Sequence, residues 1–204
     1  MTEDKANKQD SHKNKMQKLK ENVDASIEAA NIERGVCILL TGDGKGKSSS
    51  AFGMVMRALG YGHKVGVVQF IKGVQLSGEE LYLRDHCSQV SFHQMGTGFT
   101  WDTQDRAADI AAAEKSWAVA KQMLQDQDYD LVVLDELTYM LSFKYLDKDE
   151  ILQALRSRPA EQSVVVTGRG GGSALSELAD TVSEVKEIKH AYNAGIMARR
   201  GVDY

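Results

Sequence analysis

The residues best suited to bind a ligand or take part in catalysis lie in the stretch 36–50, VCILLTGDGKGKSSS. An apolar, β-prone run leads into a loop with three glycines and two lysines, and hydroxyl residues then open a helix-compatible segment. Strand, glycine-lysine loop, Ser/Thr and helix is the layout of a phosphate-binding P-loop. Glycine amides point at phosphate oxygens, and the N-terminus of the helix adds partial positive charge. We therefore predict that Lys47 reaches phosphate and that Ser48 is a ligand of Mg²⁺.

The loop departs from the usual P-loop spacing by one residue. When the consensus G-x-x-x-x-G-K-[ST] is aligned on residues 46–48, Thr41 stands at the first glycine position. The glycine comes one residue later, at Gly42. The stretch also fails as G-x-G-x-x-G, because Lys47 falls on the third glycine, which argues against a dinucleotide site. A flexible surface turn is the alternative, and the flanking strand and helix patterns favour phosphate binding.

Composition bounds the class of protein. A chain of 204 residues suits one α/β domain with a sizeable core, and the hydrophobic content of 42% is typical of globular proteins. The net charge of −4 gives no indication of sequence-independent nucleic-acid binding. No apolar run reaches membrane-spanning length, and the two cysteines have no metal or redox spacing. We expect a cytoplasmic protein with no nucleic-acid or membrane partner.

Alternating strand and helix patterns predict a three-layer α/β fold with a mostly parallel sheet of five or six strands. Residues 31–204 carry this pattern. Residues 1–30 come before it: a polar, lysine-rich start predicts disorder, and apolar spacing from Met16 predicts an amphipathic helix. That helix either covers part of the core or acts as a lid or a subunit-crossing arm.

Two predicted strands end in residues that suit a phosphate site. The run DLVVLD ends at Asp135 and is followed by Glu136, which has the shape of a Walker B element that holds Mg²⁺. An acidic helix cap is the alternative. The run SVVVT opens into a glycine-rich loop with Arg169, which either neutralises polyphosphate or lies on an exposed turn. Because the carboxyl ends of parallel strands share one rim, we expect these residues near the P-loop.

A glycine-rich loop at residues 95–101 carries two large aromatic side chains, Phe99 and Trp101. Aromatic residues in such loops either pack into the edge of the core or form an apolar wall for a flat ligand. The residues alone favour packing.

Taken together, the segments resemble one family closely. In unbroken order over about residues 30–204 the chain reads TGDGKGKSSSAFG, VGVVQFIKG, TGFTWDTQ, VVLDELTYM, TGRG, ELADTVSEVK and KHAYNAGIMARRGVDY. This combination resembles the bacterial ATP:corrinoid adenosyltransferases of the P-loop type. The resemblance implies a RecA-like P-loop NTPase fold and transfer of the 5′-deoxyadenosyl group of ATP to a Co(I) corrinoid. Inorganic triphosphate leaves, and the product serves vitamin B12 biosynthesis or salvage.

The resemblance also implies roles for individual residues. ATP lies reversed in the shortened loop, with its γ-phosphate where other P-loops hold the α-phosphate, so the 5′ carbon faces cobalt. Phe99 and Trp101 approach the lower face of the corrin and displace its axial ligand, which makes Co(II) easier to reduce. With Lys47 they are the implied catalytic residues. The implied ATP-binding residues are Gly42, Asp43, Gly44, Lys45, Gly46, Lys47, Ser48, Ser49, Arg57 and Arg169. The implied ligands of Mg²⁺ or Mn²⁺ are Ser48, Asp135 and Glu136.

Two positions depart from the family pattern. Asp43 stands where many relatives have asparagine, and the residues after Gly170 are less polar than usual. The family further suggests a homodimer and an electron donor such as a flavoprotein. An ordinary P-loop ATPase or kinase that cleaves the β–γ bond, and a non-enzymatic carrier of corrinoid and ATP, are the competing hypotheses.

Overall fold

The structure is a computed structural model that describes residues 3–71, 76–95 and 105–204, with side chains described from residue 12 onward. The chain divides into two units, residues 1–33 and residues 34–204. The sequence-based boundary after residue 30 lies close to this division.

The first unit is a single long helix, α1 (Glu3–Ala29). Residues 3–13 belong to it, although their lysine-rich composition predicts disorder. The reason is intrinsic propensity, because Lys, Glu, Gln, Ala and Met favour helix and the span contains neither glycine nor proline. Gln17 donates to Glu21 one turn later, at 3.0 Å, which supports the exposed face. The proposed role of this helix as a lid stays a prediction.

The second unit is built on a six-stranded sheet. Its strands are β1 (Cys37–Thr41), β2 (Val65–Gln69), β3 (Val90–Gln94), β4 (Leu131–Asp135), β5 (Ser163–Thr167) and β6 (Thr181–Glu184). The strand order is β3-β2-β4-β5-β1-β6, and all the neighbouring strands pair in parallel. The predicted parallel sheet is confirmed, and β6 is the edge strand that its alternating sequence indicates.

Helices connect these strands. They are α2 (Lys47–Gly60), α3 (Gly78–His86), α4 (Arg106–Gln125), α5 (Leu137–Ser142), α6 (Lys148–Arg156) and α7 (Gly172–Leu178), followed by a 3₁₀ turn at Ala191–Ala194. The short α5 directly follows β4, so the chain turns at the residues that end this strand.

The sheet is buried on both faces, which makes the fold three-layered. Val132 and Leu134 of β4 lie in one apolar cluster with residues of α4, α6 and α7. Leu131 and Val133 lie in the other cluster with residues of α2 and α3. This alternation follows from the two-residue period of a strand. The predicted three-layer α/β fold is therefore confirmed.

Strand register brings the loops of the site to one rim. Gln69 at the end of β2 pairs with Asp135 at the end of β4. Leu134 pairs with Val166, which sets Thr167 beside Asp135. The loops that follow β1, β4 and β5 therefore leave the sheet from the same end. Within the described ranges, no helix has the length and apolar content needed to cross a bilayer.

Asp180 fixes the start of β6 against β1. Its carboxylate accepts hydrogen bonds from the Cys37 amide at 2.8 Å and from the Arg34 guanidinium. The hydrogen bond from Arg34, and then that from the Cys37 amide, lower the pKa of Asp180 to about 2. A carboxylate with a lowered pKa stabilises the fold above its unfolded pKa, and this contribution is lost as the pH falls towards 2.

We therefore expect Asp180→Ala to lower the free energy of unfolding by about 1–2 kcal/mol at pH 7, because the Cys37 amide loses its acceptor. The deficit should shrink as the pH falls below 4, because the carboxylate of the unfolded wild-type chain protonates there while that of the folded protein, with its pKa of about 2, stays ionised. Urea unfolding at pH 7 and pH 3.5 measures both values. Asp128→Ala is the control, since that side chain is 71% exposed. A deficit that is equal at the two pH values would contradict the role of the charge.

Candidate active site

The loop between β1 and α2 leaves backbone amides available for an anion. Gly46 caps α2 with φ of 127°, a conformation that favours glycine, and a Cβ there would meet nothing within 4 Å. No side chain caps the helix, so the amides of its first turn are left for a ligand. Ser48 is half-buried in this turn, whereas Ser49 is exposed.

The two lysines of the loop have different surroundings. Lys47 is only 6% exposed, and its ammonium donates to the carbonyl of Gly44 at 2.9 Å. Burial lowers the pKa of Lys47, and the nearby negative charge of Glu136 opposes this effect. Lys45 is exposed and forms an ion pair with Asp203 at 2.9 Å. Asp43 is also exposed, and its charge raises the pKa of Lys47. Lys47 is therefore the inner lysine of the loop and Lys45 the outer one.

Asp135 is buried and hydrogen-bonded on both carboxylate oxygens. Gln69 Nε2 donates to Oδ2 at 2.8 Å, and Thr167 Oγ1 donates to Oδ1 at 2.6 Å. The same Thr167 oxygen accepts the amide of Glu136 at 3.0 Å. Asp135 thus holds the ends of three strands in place, which leaves Glu136 as the acid available to a ligand.

Glu136 has both a strained backbone and an unsatisfied side chain. Its φ of 60° and ψ of 22° lie in the left-handed region, which costs a non-glycine residue of order 1–3 kcal/mol. Its Oε2 is buried and has no hydrogen-bond partner among the described residues. Burial, and then the charge of Asp135, raise the pKa of Glu136 to about 7, against the opposing charges of Lys47 and Arg169. The free oxygen suits a cation or a hydrogen-bond donor.

The loop after β5 lies against the other two loops. Thr41 Oγ1 donates to the Gly170 carbonyl at 3.0 Å, and Thr138 Oγ1 donates to the Arg169 carbonyl at 3.0 Å. Gly168 has φ of 139°, and a Cβ there would come within 2.0 Å of Thr138 Oγ1. The charge of Arg169 acts on the pKa of both Lys47 and Glu136. Arg169 therefore belongs to the same electrostatic site as the P-loop.

Not every predicted residue joins this site. Arg57 is exposed in the last turn of α2, ten residues after Lys47, or about 15 Å along the helix axis. The structure does not bring Arg57 to the loop, because the helix carries it away from the ligand rim. Phe99 and Trp101 lie outside the described residues.

The structure adds residues to which the sequence patterns gave no role in the site. They are the hydrogen-bonding partners at the strand ends and behind the loops: Thr41, Gln69, Thr138 and Thr167. A signal existed for Thr41, Gln69 and Thr167, since each is the polar last residue of a mainly apolar strand.

A cavity of about 730 Å³ lies beside the loop after β5. Gly171 and Gly172 form one side of it, and the rest is lined mainly by residues 141–148, from the end of α5 to the start of α6. The lining combines apolar surface with two lysines and Asp147, so the cavity suits a large ligand with an apolar body and polar edges.

The raised pKa of Glu136 makes a prediction about the ligand-free protein. Above its unfolded pKa of about 4.5 the ionised carboxylate destabilises the fold, and the penalty is complete above pH 7. We expect Glu136→Gln to raise the free energy of unfolding by on the order of 2 kcal/mol at pH 8 and by far less at pH 5. Urea unfolding without ligand measures this difference. The exposed Glu161→Gln is the control, and an equal gain at both pH values would sink the interpretation.

Comparison with known proteins gives the family. Residues 33–204 match the profile of the family described as ATP:corrinoid adenosyltransferase BtuR/CobO/CobP. A corrinoid adenosyltransferase of Pseudomonas aeruginosa is 55% identical, and the match covers 95% of each chain. That of Escherichia coli K12 is 51% identical over 95% of this chain and 97% of the relative. The solved flagellar accessory protein FlaH of Methanocaldococcus jannaschii shares the fold, with a TM-score of 0.50 and 12% identity over 75% of this chain and 72% of FlaH.

The fold, the shortened phosphate loop and these matches lead to one conclusion: the chain belongs to the ATP:corrinoid adenosyltransferase family.

Proposed function

We propose that this protein transfers the 5′-deoxyadenosyl group of ATP to the Co(I) ion of a corrinoid and releases inorganic triphosphate. The observation that carries the proposal is the convergence of Lys47, Glu136 and Arg169 on a P-loop one residue shorter than the consensus, in a chain of this family. The shortened loop supports the reversed ATP orientation that the family resemblance implies.

The chain's own residues position ATP and stabilise the departing triphosphate. The free amides at the start of α2 and the ammonium of Lys47 bind phosphate oxygens, and Lys47 exchanges its bond to the Gly44 carbonyl for one to phosphate. Lys45 and Arg169 add positive charge. Co(I) is itself the nucleophile, so no general base is needed. Negative charge grows on the leaving triphosphate as the bond to the 5′ carbon breaks, and these fixed cations stabilise it.

Ser48 and Glu136 are the residues that would hold Mg²⁺ or Mn²⁺, with Asp135 orienting Glu136. The buried Oε2 of Glu136 fits a cation because it has no hydrogen-bond partner among the described residues. One carboxylate and one hydroxyl beside phosphate oxygens is a usual set for Mg²⁺. The described ranges contain no group of three or more His, Cys, Asp or Glu suited to a metal, so the phosphates would complete the site. Bound there, the ion would neutralise charge between phosphate oxygens.

The corrinoid is proposed to lie at the same rim, with Phe99 and Trp101 against its lower face. The cavity beside Gly171 supports this placement, since its lining of apolar surface and charged side chains suits a macrocycle with polar side chains. The family resemblance supports an electron donor such as a flavoprotein, a cytoplasmic homodimer, and closure of the site by α1.

Product analysis tests the reaction. In anaerobic assays with ATP, Mg²⁺ and a Co(I) corrinoid, we expect triphosphate and a cobalt–carbon bond to form in equal amounts. Lys47→Ala should lower kcat/KM by roughly 10²–10³-fold, the size seen when one preorganised charge stabiliser is removed. Lys121→Ala is the matched control, because Lys121 is a partly exposed lysine of α4 that pairs with Glu150 of α6. ADP or orthophosphate released without corrinoid would support the ATPase or kinase hypothesis instead.

The role of Trp101 is tested separately from ATP binding. If Trp101 removes the lower axial ligand, Trp101→Ala should slow adenosylation that starts from Co(II) at least tenfold more than adenosylation that starts from Co(I), with the KM for ATP unchanged. Anaerobic stopped-flow spectroscopy from the two oxidation states measures both rates. Trp117→Phe controls for loss of a tryptophan, because Trp117 is a buried core residue. Equal losses from both starting states would contradict the redox role.

A further inference from the structure

The segment after β6, residues 185–204, contacts the phosphate loop through its first two residues. The Val185 amide donates to the Thr41 carbonyl at 2.8 Å, and the Gly44 amide donates to the Val185 carbonyl at 2.8 Å. A Cβ on Gly42 would lie 2.4 Å from the Val185 oxygen, and one on Gly44 would lie 2.7 Å from the backbone of Lys186. Two glycines of the loop are thus fixed by contact with this segment.

Lys45 reaches the far end of the same segment. Its ammonium lies 2.9 Å from Oδ1 of Asp203, while Oδ2 of Asp203 accepts the amide of Arg199 at 2.8 Å. The Asp203 amide in turn donates to the Arg199 carbonyl at 2.8 Å, so a closed turn holds the carboxylate in place. The hydrogen bond from Lys45, then that from the Arg199 amide, lower the pKa of Asp203, and His190 adds to the effect.

This ion pair contributes little to the stability of the fold. The Lys45 side chain is 44% exposed and that of Asp203 27% exposed, and such pairs contribute about 0–1 kcal/mol to folding. A lysine side chain has four rotatable bonds, and an exposed lysine samples many rotamers that point away from a ligand. An ammonium also has three donors, so a bond to Asp203 leaves two for another acceptor. The pair therefore restricts Lys45 without consuming its binding capacity.

We propose that Asp203 is a positioning residue for nucleotide binding, which holds Lys45 at the outer side of the phosphate loop so that its remaining donors meet the triphosphate. Lys47 is oriented from within the loop by the Gly44 carbonyl, and Lys45 is oriented from outside by Asp203. The inference rests on the proposed phosphate role of Lys45 and extends the nucleotide site to residues far from the P-loop in sequence.

A double-mutant cycle tests the pair. Binding of inorganic triphosphate with Mg²⁺ is measured by calorimetry for the wild type, Asp203→Asn, Lys45→Ala and the double variant, at fixed salt. We expect Asp203→Asn to weaken binding about three- to fivefold, the size expected for one partly exposed ion pair. In the Lys45→Ala background the same change should have no further effect. The KM for ATP should rise in parallel.

Controls separate positioning from general effects. Asp128→Asn removes an exposed carboxylate that lies 3.6 Å from the ammonium of Lys64. Lys64 comes just before β2, so this pair lies at the end of the sheet opposite to the phosphate loop. The change should leave triphosphate binding unchanged. The melting temperature of Asp203→Asn should be the same as that of the Asp128→Asn control. A lower melting temperature together with an equal loss in both backgrounds would mean that Asp203 acts structurally.

Each other outcome has a defined meaning. Tighter triphosphate binding in Asp203→Asn would show that the carboxylate competes with phosphate for Lys45, which overturns the positioning role. Unchanged binding in Asp203→Asn but weaker binding in Lys45→Ala would overturn the inference and leave the proposed function of the loop intact. Unchanged binding in Lys45→Ala would remove the phosphate role of Lys45 and the inference with it.

Discussion

The buried carboxylate of Asp135 is the group on which the ligand rim depends. An unpaired buried charge would cost several kcal/mol, and here side chains from the neighbouring strands donate to both of its oxygens. Gln69 and Thr167 meet Asp135 only because the three parallel strands end in register. Thr167 also accepts the Glu136 amide, so the same network fixes the left-handed turn at Glu136. The acid of the site is thereby set at the rim by contacts within the sheet.

The shortened loop has a second physical explanation beside phosphate binding. Thr41, at the usual first glycine position, is still a strand residue, since it pairs with Glu184 of β6 and its hydroxyl bonds the Gly170 carbonyl. The loop therefore begins one residue late. Gly42 and Gly44 are needed where residues 185–186 approach the loop, and only Gly46 lies in open space. The glycine spacing thus satisfies packing on one side of the loop and leaves the other side for ligand.

Sequence patterns predicted the parts of the molecule that depend on local order. The apolar runs DLVVLD and SVVVT form β4 and β5, and the rim followed from the rule that parallel strands end together. Arg57, which the family resemblance implies for ATP binding, lies in the last turn of α2 and away from the loop, and its role stays a prediction. The start of α1 differs from the predicted disorder, because a lysine-rich composition suits a helix and a disordered chain equally well. The pair between Lys45 and Asp203 carries no local signal at all, because only the path of the chain after β6 brings the two together.

Without a ligand, the charged side chains of the site are in electrostatically unfavourable surroundings. Lys47 and Glu136 are both partly desolvated, so burial lowers the pKa of the first and raises that of the second, and their mutual attraction only partly compensates. In the proposed function each charge gains a partner of opposite sign: Lys47 would gain polyphosphate, and Glu136 would gain a cation bound to that polyphosphate. Because the surrounding medium is poorly polarisable, these gains exceed what exposed charges would give. These charges and the strained backbone at Glu136 lower the stability of the ligand-free protein. In return, the site favours a ligand that supplies a negative and a positive charge together.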